Sequence, residues 1–247
     1  MHWIKRTLKL ASIDPWYLVR GYPNGPRQSS RAVKRARAYL ESVGILPLLI
    51  SGDGRELPPD FPDLAFLHRA VSRRKPRCIL EFGCGFSTIV MASALSGGEL
   101  YAVDSSQQWI ENTRAKLGAM PNVHVSYSPV KVGAFNGQLC SFYERLPDVV
   151  PDFVFLDGPD PAMVEGQING LSFQNPVRTV MAGDLLLMES TLLPGFYMVV
   201  DGRTNNARFL ARNLQRPYAI RWRRTLDLTT FEMREKKLGY RNVFGYE

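Results

Sequence analysis

Four short apolar runs that each carry an acid at or near their end constrain this chain more than any other feature. Cys78–Phe82 holds Glu81 just before Gly83-Cys84-Gly85. Leu100–Val103 closes on Asp104, Asp152–Leu156 on Asp157, and Phe196–Val200 on Asp201. Between them lie glycine turns and stretches with helical apolar spacing, at Thr88–Leu95, Gln107–Leu117, Leu185–Leu193 and Asn205–Leu214. Near-continuous apolar strands alternating with helices build a parallel sheet covered on both faces. Val123–Tyr127 alternates and reads as a further strand. Tyr218–Trp222 and Leu226–Met233 are joined too tightly for a crossover, so they read as an antiparallel hairpin at the sheet edge. The expected fold is α/β, doubly wound and mostly parallel, with that hairpin at the C-terminus.

Residues 1–57 read as an N-terminal helical extension and 58–247 as the main domain. Ser29–Val43 spaces Ala32, Ala36, Tyr39, Leu40 and Val43 along one helical face, and Pro62–Arg74 does the same with Leu64, Leu67, His68 and Val71. Residues 1–40 hold nine Lys/Arg and one acid, which accounts for the whole net charge of +8. A basic segment of this kind faces either water or an anionic surface. Met1–Arg20 adds Trp3, Trp16 and Tyr17, which suits the interface of an anionic membrane as well as packing on the protein itself.

Composition excludes several classes. With 45% hydrophobic and 22% charged residues, the chain is globular rather than disordered. Its longest apolar stretches fall far short of a membrane span, and charges interrupt Met1–Leu10 where a signal peptide would be apolar. Three cysteines without a C-x-x-C, and three histidines, give neither a disulfide framework nor a zinc site; the expected compartment is the cytoplasm.

In an open α/β sheet, ligands bind beyond the carboxyl ends of the strands, so Glu81, Asp104, Asp157 and Asp201 converge on one rim. Gly83 and Gly85 allow a tight turn and close approach to a ligand, while Ser87 and Thr88 stand where they can cap the next helix. Asp104 follows Gly85 by 19 residues, the spacing of an acid that accepts hydrogen bonds from a ribose diol. Nicotinamide enzymes share that geometry. Two features lean away from them: Thr88 replaces the third glycine of G-x-G-x-x-G, and Glu81 would repel a pyrophosphate.

Ile79-Leu-Glu-Phe-Gly-Cys-Gly85, Ala102-Val-Asp-Ser105, Asp152-Phe-Val-Phe-Leu-Asp-Gly-Pro159 and the antiparallel tail resemble the class I S-adenosylmethionine-dependent methyltransferases, over about residues 60–235. The resemblance implies a Rossmann-like fold and S-adenosylmethionine as cofactor. Glu81, Gly83 and Gly85 would line its methionine end, Asp104 would bind its ribose, Cys84, Ser87, Thr88 and Ser105 would be further cofactor-binding residues, and Asp157 would sit at the floor between cofactor and acceptor. The third strand departs from the family: Ser126-Tyr-Ser-Pro129 lacks the acid that helps hold adenine. The Asn/Asp-Pro-Pro-Tyr/Phe motif of base-methylating enzymes is also absent, which, with no aromatic cluster for stacking, argues against a nucleic-acid acceptor.

The acceptor is expected to be a small molecule or glycan methylated on oxygen. Asp157 and Asp160 are the leading base candidates, followed by Glu165. The metal-dependent catechol-type members suggest Mg²⁺ on Asp157, Asp201 and Asn205 or Asn206, although Gly202-Arg-Thr separates the second acid from the amides. Ala162–Gly183, with Gln167, Asn169, Gln174, Asn175 and Arg178, reads as a polar loop over the acceptor. A non-catalytic binding module on the same fold, recruited through the basic segment, and an NAD-linked oxidoreductase remain the competing readings.

Overall fold

The computed structural model describes residues 29–50, 59–173, 180–202, 204–223 and 225–236. Met1–Arg20 and the rest of the basic segment up to residue 28 lie outside the described residues, as do Gln174, Asn175 and Arg178.

Helix α1 (Ser30–Ser42) starts where Ser29 accepts a hydrogen bond from the Ala32 N–H. A serine N-cap of this kind satisfies one of the orphan donors of the first turn. A short helix α2 (Leu46–Ile50) follows, and then α3 (Phe61–Arg74), capped by Asp60 and closed by Lys75 in the left-handed region. Five parallel strands with intervening helices come next: β1 (Cys78–Phe82), α4 (Phe86–Ala94), β2 (Glu99–Asp104), α5 (Gln107–Leu117), β3 (Val123–Tyr127), β6 (Phe153–Leu156), α6 (Asp184–Met188), β8 (Tyr197–Asp201) and α7 (Thr204–Asn213). Strands β9 (Tyr218–Arg223) and β10 (Leu228–Met233) form the antiparallel hairpin, and β10 pairs antiparallel with β8. The seven-stranded order is β3-β2-β1-β6-β8-β10-β9. This is the doubly wound, mostly parallel, Rossmann-like sheet expected from the sequence.

The sheet separates two apolar layers. Ile79, Leu100, Phe153, Phe155 and Val199 face α3 and α4, while Leu80, Phe82, Val154, Leu156 and Val200 face the other side. Ala36, Leu40, Ile45, Leu46 and Leu49 join the first layer with Leu64, Leu67 and Val71. The described part of the N-terminal extension therefore shares one core with the main domain. Val43, expected on the inward face of α1, stands exposed at the helix end.

A second sheet between β3 and β8 has no counterpart in the sequence reading. Strands β4 (Val130–Phe135) and β5 (Gln138–Tyr143) form a hairpin, and the short β7 (Val164–Glu165) pairs with β4. Asn136 and Gly137 both have positive φ, the requirement of a two-residue hairpin turn. The loop expected over Ala162–Gly183 thus begins in a 3-10 turn (Pro161–Met163) that leads into β7, and Asn169-Gly170 makes a second two-residue turn, with Ile168 and Leu171 exchanging backbone hydrogen bonds.

Candidate functional site

The carboxyl ends of β1, β2, β6 and β8 meet at one rim, and two glycines close its centre. The Gly158 and Asp157 N–H groups both donate to the Phe82 carbonyl, at 2.6 and 3.0 Å, and the Gly83 N–H donates to Val103. A Cβ built on Gly83 would stand 3.1 Å from the Gly158 nitrogen. One built on Gly158 would stand 2.8 Å from the Gly83 nitrogen and 2.6 Å from the Tyr143 hydroxyl. With Gly83 also at φ +98°, a side chain there would be strained and tight against Gly158, and one at Gly158 would clash with Gly83. The loops after β1 and β6 form one backbone seam.

Glu81 is fully buried beside this seam. Its Oε1 accepts a hydrogen bond from the Ser87 hydroxyl, and its Oε2 has no partner. Burial pushes its pKa up to about 8, opposed by the Ser87 and Thr88 hydroxyls and reinforced by Asp157 and Asp104. Ser87 therefore serves Glu81 rather than capping the helix. Thr88 does the capping: its Oγ1 accepts from the Gly85 N–H at 3.0 Å, and α4 begins two residues earlier than the sequence suggested.

Asp104 bridges the two glycine-side loops. Its Oδ2 accepts from the Cys84 N–H at 2.8 Å and its Oδ1 from the Ser106 N–H at 2.7 Å. Burial raises its pKa against these bonds. Each carboxylate oxygen keeps a further acceptor site, so both can still receive hydroxyl donors. The neighbouring Ser105 hydroxyl is buried and unpartnered. Cys84 packs under the loop within reach of the Thr113 hydroxyl, and burial drives its thiol pKa far up, so it stays protonated.

The other half of the rim is more open. Asp157 is exposed at the end of β6, and Asp201 is half-buried at the end of β8. Asp160 is exposed and caps a 3-10 turn at Pro161–Met163 through the Ala162 N–H at 2.9 Å, which gives one of its oxygens a local duty. Asn205 is exposed on the first turn of α7. Asn206 beside it is 1% exposed, with neither side-chain polar atom hydrogen-bonded. Among the described residues no three His, Cys, Asp or Glu side chains gather as a metal ion would require. Glu165 lies on β7, in the second sheet. His68 accepts or donates to the Tyr39 hydroxyl at 2.7 Å inside the helical layer, and His124 pairs with Glu99 on the far edge, so neither reaches the rim.

Sequence reasoning passed over Asp63. It lies in the first turn of α3, 7% exposed, with Oδ1 unpartnered. Burial, then Asp60, Asp201, Asp227 and Asp157, raise its pKa to about 9. An acid in a first helical turn ordinarily reads as support for the helix dipole, so nothing local marked it.

No protein-family model matches this sequence, and no curated protein matches it. Among solved structures the chain is similar to the O-methyltransferase TomG of Streptomyces achromogenes, which is involved in tomaymycin synthesis and was crystallised with SAM. The identity is 18% and the TM-score 0.44, over 91% of this chain and 96% of that one. It is also similar to the SAH-bound methyltransferase PaMTH1 of Podospora anserina, at 12% identity and a TM-score of 0.46, over 91% and 96%. An O-methyltransferase of Bacillus cereus in complex with SAH gives 14% and 0.43, over 89% and 96%. With TM-scores below 0.5, these likenesses add nothing to what the sheet order and the rim already show.

Proposed function

We propose that this chain is an S-adenosylmethionine-dependent methyltransferase acting on a hydroxyl of a small-molecule or glycan-type acceptor. The observation that supports this best is Glu81, a fully buried carboxyl with an oxygen left unpartnered beside the glycine seam. A buried carboxyl with one oxygen unsatisfied is costly, and the ammonium and sulfonium of this cofactor are the charges that would relieve it. A pyrophosphate would worsen it, which disfavours the nicotinamide reading. Gly83, Cys84, Gly85, Ser87 and Thr88 would hold the methionine end with Glu81, and Asp104 with Ser105 the ribose. When bound, the cofactor supplies a methyl group on a positive sulfonium.

The residues of this chain do the rest by binding and alignment. Asp157, exposed between the two halves of the rim, would receive the proton that the acceptor hydroxyl gives up, with Asp160 as the second candidate. An exposed carboxylate is a weak base, so holding the acceptor in line would supply much of the rate. Mg²⁺ on Asp157, Asp201 and Asn205 is a separate part of the proposal, and no step above uses it. Dialysis against EDTA tests it: activity lost and then restored by Mg²⁺ supports the metal, and full activity after chelation removes it.

The deciding experiment is calorimetric titration of the full chain with S-adenosylhomocysteine. Binding at micromolar concentration is the expected result. No binding at millimolar concentration would sink the enzyme reading and favour a non-catalytic module. The solvent-facing bases Arg31, Lys34 and Arg35 of α1 are consistent with residues 1–40 contacting an anionic membrane from the cytoplasmic side. Co-sedimentation with anionic vesicles at low and high salt, for the full chain and a chain starting at Ser29, tests that; equal pelleting of both counts against it.

A further inference from the structure

Glu81 stands near the end of β1, in register with Ala102 of β2 on one side and Phe155 of β6 on the other, and its side chain is sealed from solvent. One donor reaches it from α4. The Ser87 hydroxyl gives its hydrogen to Oε1 at 2.5 Å, and Oε2 receives nothing. Thr88 closes the first turn of α4 by accepting the Gly85 N–H at 3.0 Å, which leaves the Ser87 hydroxyl to Glu81. The two neighbouring hydroxyls thus divide the work: one finishes the helix, and the other fixes one oxygen of a buried acid.

The titratable groups that act on Glu81 are Asp104 from β2, Asp157 from β6 and the protonated Cys84 thiol from the loop ahead of α4. None of them is a cation. Ionising a sealed carboxyl in this company would leave a charge with no counter-charge, and a group so placed keeps its proton instead. In the ligand-free protein at pH 7, Glu81 is therefore a neutral acid, in line with its raised pKa. A neutral acid is a poor partner for an ammonium group, and a carboxylate is a strong one. Something has to change when the methionine end of the cofactor arrives.

We propose that Glu81 and Ser87 form a proton-exchange pair: the ammonium of the cofactor replaces a proton on Glu81 Oε2, that proton leaves to water, and Ser87 is the positioning residue that holds Oε1 during the exchange. The proposal rests on the methyltransferase reading and deepens it. One positive charge leaves as another enters, so the buried site carries no extra charge in either state. Binding is then linked to pH. The ionised acid is the form that binds, so affinity rises with pH and stops rising once Glu81 is ionised without help.

Calorimetric titration of the full chain with S-adenosylhomocysteine, which keeps the ammonium and lacks the sulfonium, reads the exchange directly. Run at pH 7 in phosphate and in imidazole, which differ in heat of ionisation, the binding heats should differ by the equivalent of about one proton released per ligand. The Kd should tighten about tenfold between pH 6 and 7 and level off near pH 8. Glu81→Gln should give the same heat in both buffers and a Kd that does not vary with pH. Ser87→Ala, which strips the donor from Oε1, should weaken binding more at pH 7 than at pH 8.5, and Ser87→Thr should restore the wild-type profile. Equal wild-type heats in the two buffers overturn the proposal, and that comparison needs no variant to fold. Proton release that persists in Glu81→Gln overturns it as well. A Ser87→Ala loss by the same factor at every pH is what a purely structural hydroxyl would give, and it overturns the role assigned to Ser87. Failure of S-adenosylhomocysteine to bind at all is a different result, and it removes the methyltransferase reading itself.

Discussion

The two edges of the sheet treat their acids in opposite ways. At the lower edge Asp152, Glu189 and Glu235 are all answered. Asp152 accepts the Arg77 and Cys78 N–H groups, both at 3.0 Å, and ties β6 to the start of β1. Glu189 accepts the Gln215 and Arg216 N–H groups. Glu235 takes a bidentate pair from Arg216, whose remaining donor reaches the Glu189 and Leu192 carbonyls. At the upper edge Glu81, Asp63 and Asp184 are each buried with one oxygen unpartnered, and burial raises all three pKa values, to about 8, 9 and 7. The lower acids hold the chain together. The upper three each keep a buried oxygen that no group of the described residues satisfies.

The comparison breaks first at Glu235. Glu235→Ala should cost about 3 kcal/mol of unfolding free energy, because it strips a nearly buried guanidinium of its counter-charge. Urea denaturation measures it, and a loss below about 1 kcal/mol would show that the lower edge does not carry the load assigned to it. Asp157→Asn should lower turnover roughly a hundredfold, the lower end of what a positioned base contributes, with S-adenosylhomocysteine affinity nearly unchanged; single-turnover assays and calorimetry separate the two. Asp104→Ala should weaken S-adenosylhomocysteine by about ten- to a hundredfold, the worth of a charge-assisted hydrogen bond. An unchanged Kd in a folded variant would mean that the ribose lies elsewhere.

The pH dependence of stability is the sharpest test of sign. Glu81, Asp63 and Asp184 hold protons more tightly folded than unfolded, so the stability they contribute is fully present below their ordinary values near 4. It is lost as pH rises through about 7 to 9. Glu235, whose pKa is lowered by Arg216, works the other way, and its contribution disappears in acid. The melting temperature of the ligand-free protein should therefore fall steadily as pH rises from 6 to 9. In Glu81→Gln the drift should shrink, and a profile identical to the wild type would place Glu81 in a more solvated setting than its burial implies.

Much of this contrast was legible in the sequence, and its limits are physical. Strands β1 and β3 and helix α5 fall where apolar run and helical spacing put them, because their signals are local. The second sheet is hard to read from sequence although Asn136-Gly137 suits a hairpin turn, because Val130–Phe135 and Gln138–Tyr143 alternate only weakly. The acid ends of β1, β2, β6 and β8 could be placed on one rim by topology alone. Asp63 could not, since its burial comes from α3 lying along β8 and β10, and no neighbour in sequence reports that. Likewise Ser87 looked like a helix cap until the fold set Glu81 within reach of its hydroxyl.

The backbone seam between Gly83 and Gly158 leaves the middle of the rim with nothing to vary. A side chain at either position would crowd the facing backbone, so retuning for a different acceptor falls to the periphery. What is free to change is what enters from outside: the turn at Asn169-Gly170, the face of β7, and the first turns of α3 and α7. A lineage or a designer working on this scaffold inherits a fixed keel and a replaceable deck.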